Sequence, residues 1–164
     1  MHLGIKKVNG VLSLLVVLML SGCAHLDVSH LNRKPWQLEI QKSVSMEFMD
    51  FDYQVIPRTD SFGVRGTAFI KKANVPVWAQ WVGELWIQGY LSDEDGTVLA
   101  QGMQVFSPAK LENGVGVPFD FELKPDQLDL GPLFISFGYR LVLLKDKHDT
   151  VNPPFMAIER AVIK

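Results

Sequence analysis

Four groups of residues in this chain are of types that could do chemistry. The first is a thiol. Cys23 is the only cysteine, and it closes Leu20-Ser21-Gly22-Cys23 directly after the apolar run VLSLLVVLML. The second is a row of carboxylates, Asp93, Glu94 and Asp95, ahead of Gly96. Calcium takes about six to eight oxygens at a longer regular spacing, with a distal glutamate. Asp-Gly, by contrast, is the chemistry of a tight hairpin turn. A turn is therefore expected there, and no metal site. The third is His148, with Asp146 and Asp149 beside it. It has the look of half an acid–base pair, but GxSxG, HExxH, the P-loop and the dinucleotide fingerprint are all absent. A solvated loop histidine is the expectation. The fourth group is aromatic: Trp78, Trp81 and Trp86 in PVWAQWVGELWIQGY, followed by Tyr90.

The aromatic group has two readings. Trp86 and Tyr90 share the even face of a strand with Glu84 and Gln88, while Leu85, Ile87 and Leu91 take the odd face. Rings among polar groups on a half-exposed face suit a protein interface or stacking on a sugar. In the other reading, the Trp78–Trp81 connector makes a helical turn after Pro76 and folds over the open end of a sandwich. Trp86 then lies beneath it or beneath the segment near Trp36, because a buried tryptophan removes so much apolar surface. Trp78, Trp81, Trp86 and Tyr90 are the candidate binding face. No catalytic residue, metal or cofactor is expected.

The amino-terminal residues explain the thiol. MHLGIKK carries Lys6 and Lys7 and no acid. The apolar run from Val11 to Leu20 is shorter than the roughly 20 residues that span a bilayer. A basic start and a short apolar core read as a secretory signal. Leu20-Ser21-Gly22-Cys23 resembles the lipobox of bacterial lipoproteins. That resemblance implies cleavage before Cys23, a diacylglycerol on its sulfur and an acylated new terminus. Two or more acyl chains make a stable anchor where one does not. Ala24, where an aspartate would imply inner-membrane retention, implies by the same resemblance the outer membrane, with the periplasmic face favoured over the cell surface.

The expected organisation is a signal peptide over residues 1–22, a lipidated cysteine and tether over 23–35, and one folded domain over 36–164. His25 and His30 read as solvated tether residues. Removing Lys6 and Lys7 with the signal lowers Lys+Arg from 16 to 14 against 18 Asp+Glu, a formal charge of −4. Nucleic-acid binding needs clustered cations and is excluded. About 140 residues suit a single domain with a real core.

Period-two alternation runs through the rest. Trp36, Leu38 and Ile40 alternate with polar neighbours, and Val44, Met46 and Phe48 continue in phase. Met49, Phe51, Tyr53 and Val55 then invert the phase, which predicts a bulge or bend near Phe48-Met49. Phe62, Val64, Ala68 and Ile70 share a face, and Phe119, Phe121 and Leu123 alternate with acids. Residues 133–144 are apolar on both faces and predict a central strand. SPAKLENG and KPDQLDLG each suggest a short helical turn. Seven or eight strands with turns between them predict an all-β fold, a single antiparallel immunoglobulin-like β-sandwich. Within residues 84–123, the turn DEDG, Val98-Leu99 and the later Phe119-Asp120-Phe121 resemble FxLYD-type domains, immunoglobulin-like sandwiches of bacterial surface proteins. That resemblance implies the fold and no reaction.

Three classes of function remain: a noncatalytic accessory or assembly lipoprotein that binds another envelope protein through its sandwich, a small-ligand module for sugar or lipid using the face around Trp86 and Tyr90, and an enzyme whose site is assembled in space. The first is favoured because the others lack their residues, so the chain is expected not to be an enzyme.

Overall fold

A computed structural model describes residues 24–126, 131–148 and 151–164. Cys23 and the signal-like segment lie outside these residues, as does part of KPDQLDLG. Among the described residues there are twelve strands and no helix. In chain order they are β1 (Leu26–Asp27), β2 (Arg33–Pro35), β3 (Lys42–Ser45), β4 (Met49–Pro57), β5 (Phe62–Ile70) and β6 (Trp81–Ser92). There follow β7 (Val98–Phe106), β8 (Ala109–Lys110), β9 (Val117–Leu123), β10 (Phe134–Leu144), β11 (Phe155–Glu159) and β12 (Val162–Ile163).

The chain is all-β, built of antiparallel sheets packed together. The larger sheet runs β11-β10-β6-β7, with β2 extending the β11 edge along β10 and β8 extending the β7 edge along β6. The smaller runs β3-β4-β5-β9. Alternation directs one face of each inward. Phe137 of β10 stacks on Phe51 of β4 with ring centroids 4.7 Å apart, and Tyr53 and Phe119 meet the same ring edge-on. Leu85, Ile87, Leu91, Phe121 and Leu123 complete this interior. On one side the sheets nearly touch. The ring of Phe121 lies where a Cβ on Gly89 or Gly102 would have to be, within 2.8 Å. Gln104 of β7 accepts the N–H of Asp120 on β9 at 2.9 Å.

Several expectations are corrected. The phase inversion at Phe48-Met49 is a hairpin, not a bulge. Met46 N–H donates to Met49 O, and Val44 of β3 faces Phe51 of β4. Chain reversal restores a common buried face without an extra residue. The strand expected over 36–41 is irregular. Leu38 makes an isolated bridge to Val55, Glu39 takes φ 59°, and Leu38 and Ile40 are exposed. Here the chain leaves the larger sheet at β2 for the smaller one at β3, so no single ladder can use the alternation. The helical turn expected in SPAKLENG is instead β8 and a turn at Asn113-Gly114. Its Ala109 and Lys110 extend a sheet edge beside Val82 and Trp81.

The largest correction concerns the tether. Residues 24–35 are part of the fold. β1 pairs with β12, Leu26 opposite Ile163 and Asp27 opposite Val162, while Val28 and Leu31 are buried. Val28 N–H donates to Gly96 O at the tip of the β6–β7 hairpin. Gly96 has φ 96°, and a Cβ there would lie 2.7 Å from Ser29 N, so this contact requires glycine. The segment escapes a pattern reading because its partner is the far end of the chain.

Candidate functional site

The aromatic residues singled out by sequence do not gather at one place. β6 carries an extra residue at Gly83, where its register against β10 shifts, so Val82 and Leu85 both face the core. Trp81 thereby joins Glu84, Trp86 and Gln88 on the outer face. Lys147 lies 6.0 Å from the Trp81 ring, and Arg140 lies 5.7 Å from the Trp86 ring. Arg140 Nε is 3.0 Å from Glu84 Oε2. Trp78 stands apart on the connector, exposed above a recess shared with Lys145 and Pro153. Its connector makes a turn closed by Ala79 N–H to Pro76 O rather than a helix, and Trp36 packs edge-on against Phe62 instead of near Trp86.

Tyr90 is buried. The chain after β11 crosses the outer face of the larger sheet here. Arg160 and the carbonyl of Glu159 press on Gly138, and Ala161 N–H donates to Tyr90 Oη at 3.3 Å. Tyr90 Oη donates in turn to Gln88 Oε1 at 2.6 Å, and burial raises its pKa. The β1–β12 ribbon therefore lies over one end of this face. Asp27 holds the ribbon's turn: its carboxylate accepts Ser29 N–H at 3.0 Å and Ser29 Oγ–H at 2.6 Å, and pairs with Lys164 Nζ at 2.9 Å. The hydrogen bonds from Ser29 and then Lys164 hold its pKa well below the usual carboxylate range.

Beyond the ribbon the same face is largely apolar around the Arg140–Glu84 pair. One row across four strands reads Ile158, Arg140, Trp86, Val105. The flanking rows add Met156 beside Val142 and Met103 beside Gln88. Met103, Val105, Met156 and Ile158 are each 45–56 % exposed.

The outer face of the smaller sheet is its opposite. Gln54, Arg65 and Asp120 form a row across β4, β5 and β9, with Gln104 at its end. Arg65 donates through Nε and Nη2 to one oxygen of Asp120, at 3.1 and 3.0 Å, while Arg58 takes the other at 2.8 Å. Ser43 Oγ–H donates to Asp52 at 2.5 Å. Asp52, Gln54, Arg65, Asp120 and Gln104 line a shallow, open groove of about 700 Å³ together with Thr67 and Phe69. No local pattern aligns Gln54, Arg65 and Asp120, because only the strand register brings these three separate stretches into one row.

The chemical candidates sit as follows. Asp93 turns inward and accepts Gly96 N–H at 2.9 Å and Thr97 N–H at 2.8 Å, closing the β6–β7 hairpin. Glu94 and Asp95 are exposed. His148 is exposed, its backbone N–H donating to the Asp146 carboxylate. His30 reaches Arg160 O at 3.1 Å. Tyr139 donates a short hydrogen bond to Glu159 and accepts Phe48 N–H, which ties the β3–β4 hairpin to the larger sheet. Among the described residues no three His, Cys, Asp or Glu stand together as metal ligands. Comparison with family models, with curated proteins and with solved structures finds no match to this chain. What fold and surface define is thus a class, an all-β chain of packed antiparallel sheets with two chemically unlike outer faces.

Proposed function

We propose that this chain is a noncatalytic lipoprotein of the bacterial envelope: a single immunoglobulin-like sandwich held to the outer membrane by lipid on Cys23, which binds another envelope protein. The anchor rests on Leu20-Ser21-Gly22-Cys23 after its short apolar run. The binding role rests on the groove of the smaller sheet. Its Arg65, Asp120 and Gln104 are fixed by one another rather than free to fold down. A shallow, open surface with positioned donors and acceptors suits a protein partner better than a small molecule, which is bound by enclosure. The small-ligand alternative around Trp86 and Tyr90 has less support, because Tyr90 lies beneath the ribbon with its hydroxyl engaged.

Photo-crosslinking in intact cells tests this. A photoreactive residue at Gln54 or Thr67 is expected to capture a discrete envelope protein, and Asp120→Ala to weaken that capture. Absence of any adduct from either position would remove the groove as a docking surface. In the same cells Cys23→Ser is expected to abolish incorporation of an alkyne fatty acid, and unchanged labelling would remove the anchor.

A further inference from the structure

We propose that the apolar outer face of the larger sheet lies flat on the lipid bilayer beside the anchor. This rests on lipidation of Cys23, and it goes further: the domain is pressed to the membrane rather than hung from it.

The chain leaves almost no slack. Cys23 is followed by Ala24 and His25, and β1 begins at Leu26. His25 is itself bonded to Lys164, N–H to O in both directions at 3.2 and 3.0 Å. The two peptide spacings from Cys23 to His25 reach about 7 Å at full extension. The polar zone of one leaflet is about 5–8 Å thick, taken as half the difference between the whole bilayer and its hydrocarbon core. A lipid on Cys23 therefore brings the β1–β12 ribbon to headgroup level.

The ribbon lies on the outer face of the larger sheet, and it carries exposed Val162 and Ile163. Met103, Val105, Met156 and Ile158 continue that face around Trp86. Single exposed apolar residues are ordinary, but four of them on β7 and β11, flanking Trp86 on one face, call for an occupant. The polar groups within it fit an interface. Tryptophan favours the headgroup level, and an arginine such as Arg140 can keep its charge at the water side while its stem lies in apolar surroundings. Arg140 is, moreover, already paired with Glu84. The smaller sheet's polar groove then faces away from the lipid, open to a partner.

The experiment uses the full-length lipoprotein purified in detergent and reconstituted into phosphatidylcholine–phosphatidylglycerol vesicles. Single cysteines replace exposed residues, Val105→Cys on the apolar face and Glu122→Cys on the polar face, each labelled with an environment-sensitive fluorophore. Both variants must melt like the parent. At position 105 the expected result is a blue-shifted emission, quenched by spin-labelled lipid and shielded from iodide, at low and high salt alike. At position 122 the expected result is the reverse. Equal quenching of both sites by iodide overturns the proposal and leaves a domain on a lead. A label at 105 shielded from both quenchers, with shielding that grows with protein density, also overturns it in favour of a second copy on this face. The mass of the intact parent reports acylation separately: a chain without lipid on Cys23 defeats the anchor reading itself, whatever the fluorophores show.

Discussion

The two sheets present nearly the same chemistry to each other and opposite chemistry to the outside. Inward, both offer aromatic and aliphatic side chains around Phe137. Outward, the smaller sheet offers Asp52, Gln54, Arg65 and Asp120, tied into hydrogen bonds and ion pairs. The larger offers Trp86, Val105, Met103, Met156 and Ile158, with one ion pair among them and a ribbon across one end. An antiparallel sheet with water beyond it normally alternates apolar-in and polar-out. The smaller sheet obeys that rule and the larger does not. A shared core therefore says nothing about what each outer face meets.

Three measurements break or sharpen this contrast. The largest effect is expected within the apolar face itself. Tyr90→Ala removes a ring buried beneath the ribbon and should cost about 3 kcal/mol, the lower end for truncating a core aromatic. Trp86→Ala, four residues along the same face, should cost about 1 kcal/mol or less. Chemical denaturation of the two variants reads the difference, and equal losses would mean that the ribbon protects nothing.

Next comes the ribbon's own fastening. The folded-state pKa of Asp27 is depressed, so its contribution is fully present above the ordinary carboxylate range and is lost as pH falls through that range toward the folded value. Thermal melts from neutrality down to about pH 3 should show an acid decline that Asp27→Asn flattens while lowering stability at neutrality. An unchanged acid limb would assign the decline elsewhere. The smallest effect is expected on the polar face. Asp120→Ala breaks an exposed cluster with Arg58 and Arg65 and should change stability by less than about 1 kcal/mol, though it alters the groove. A large loss there would make that face structural.

Sequence shows the inward faces well because they obey a local rule. Phe51, Tyr53, Val64, Leu85, Ile87, Phe119 and Phe121 are each placed by alternation alone, and each is buried. It fails where one stretch serves two masters. Trp36, Leu38 and Ile40 alternate perfectly, yet they bridge the two sheets. Val44 to Val55 inverts phase because the chain reverses, and a reversal without Gly, Pro or Asn at Glu47-Phe48 carries no turn signature. The fate of 24–35 depends on two short pairings, β1 with Val162 and Ile163 and β2 with residues 134–136, each too short to leave a period. The outer faces were half legible. Trp86 and Tyr90 do share a face, but which of them is covered depends on a crossing by Arg160 and Ala161 that no local pattern announces. The polar groove needed register, since Gln54, Arg65 and Asp120 come from three strands.

The β1–β12 pairing also orders events in time. During synthesis residue 26 emerges far ahead of residue 163. Nearly the whole described chain separates the two halves of this ribbon, and contacts between such distant positions form slowly because a long loop must close first. The hairpins β3–β4, β4–β5 and β6–β7 can assemble meanwhile from neighbours. Until Val162 and Ile163 arrive, β1 is held only by its bridge to Thr97 and its neighbour's bond to Gly96, and Tyr90 has no lid. A variant lacking residues 160–164 could still build most of the sandwich, yet it would display a bare tyrosine and a loosened amino-terminal segment. Exposed segments of that kind are where proteolytic nicking concentrates, so β12 protects the amino-terminal strand and the ring beneath it.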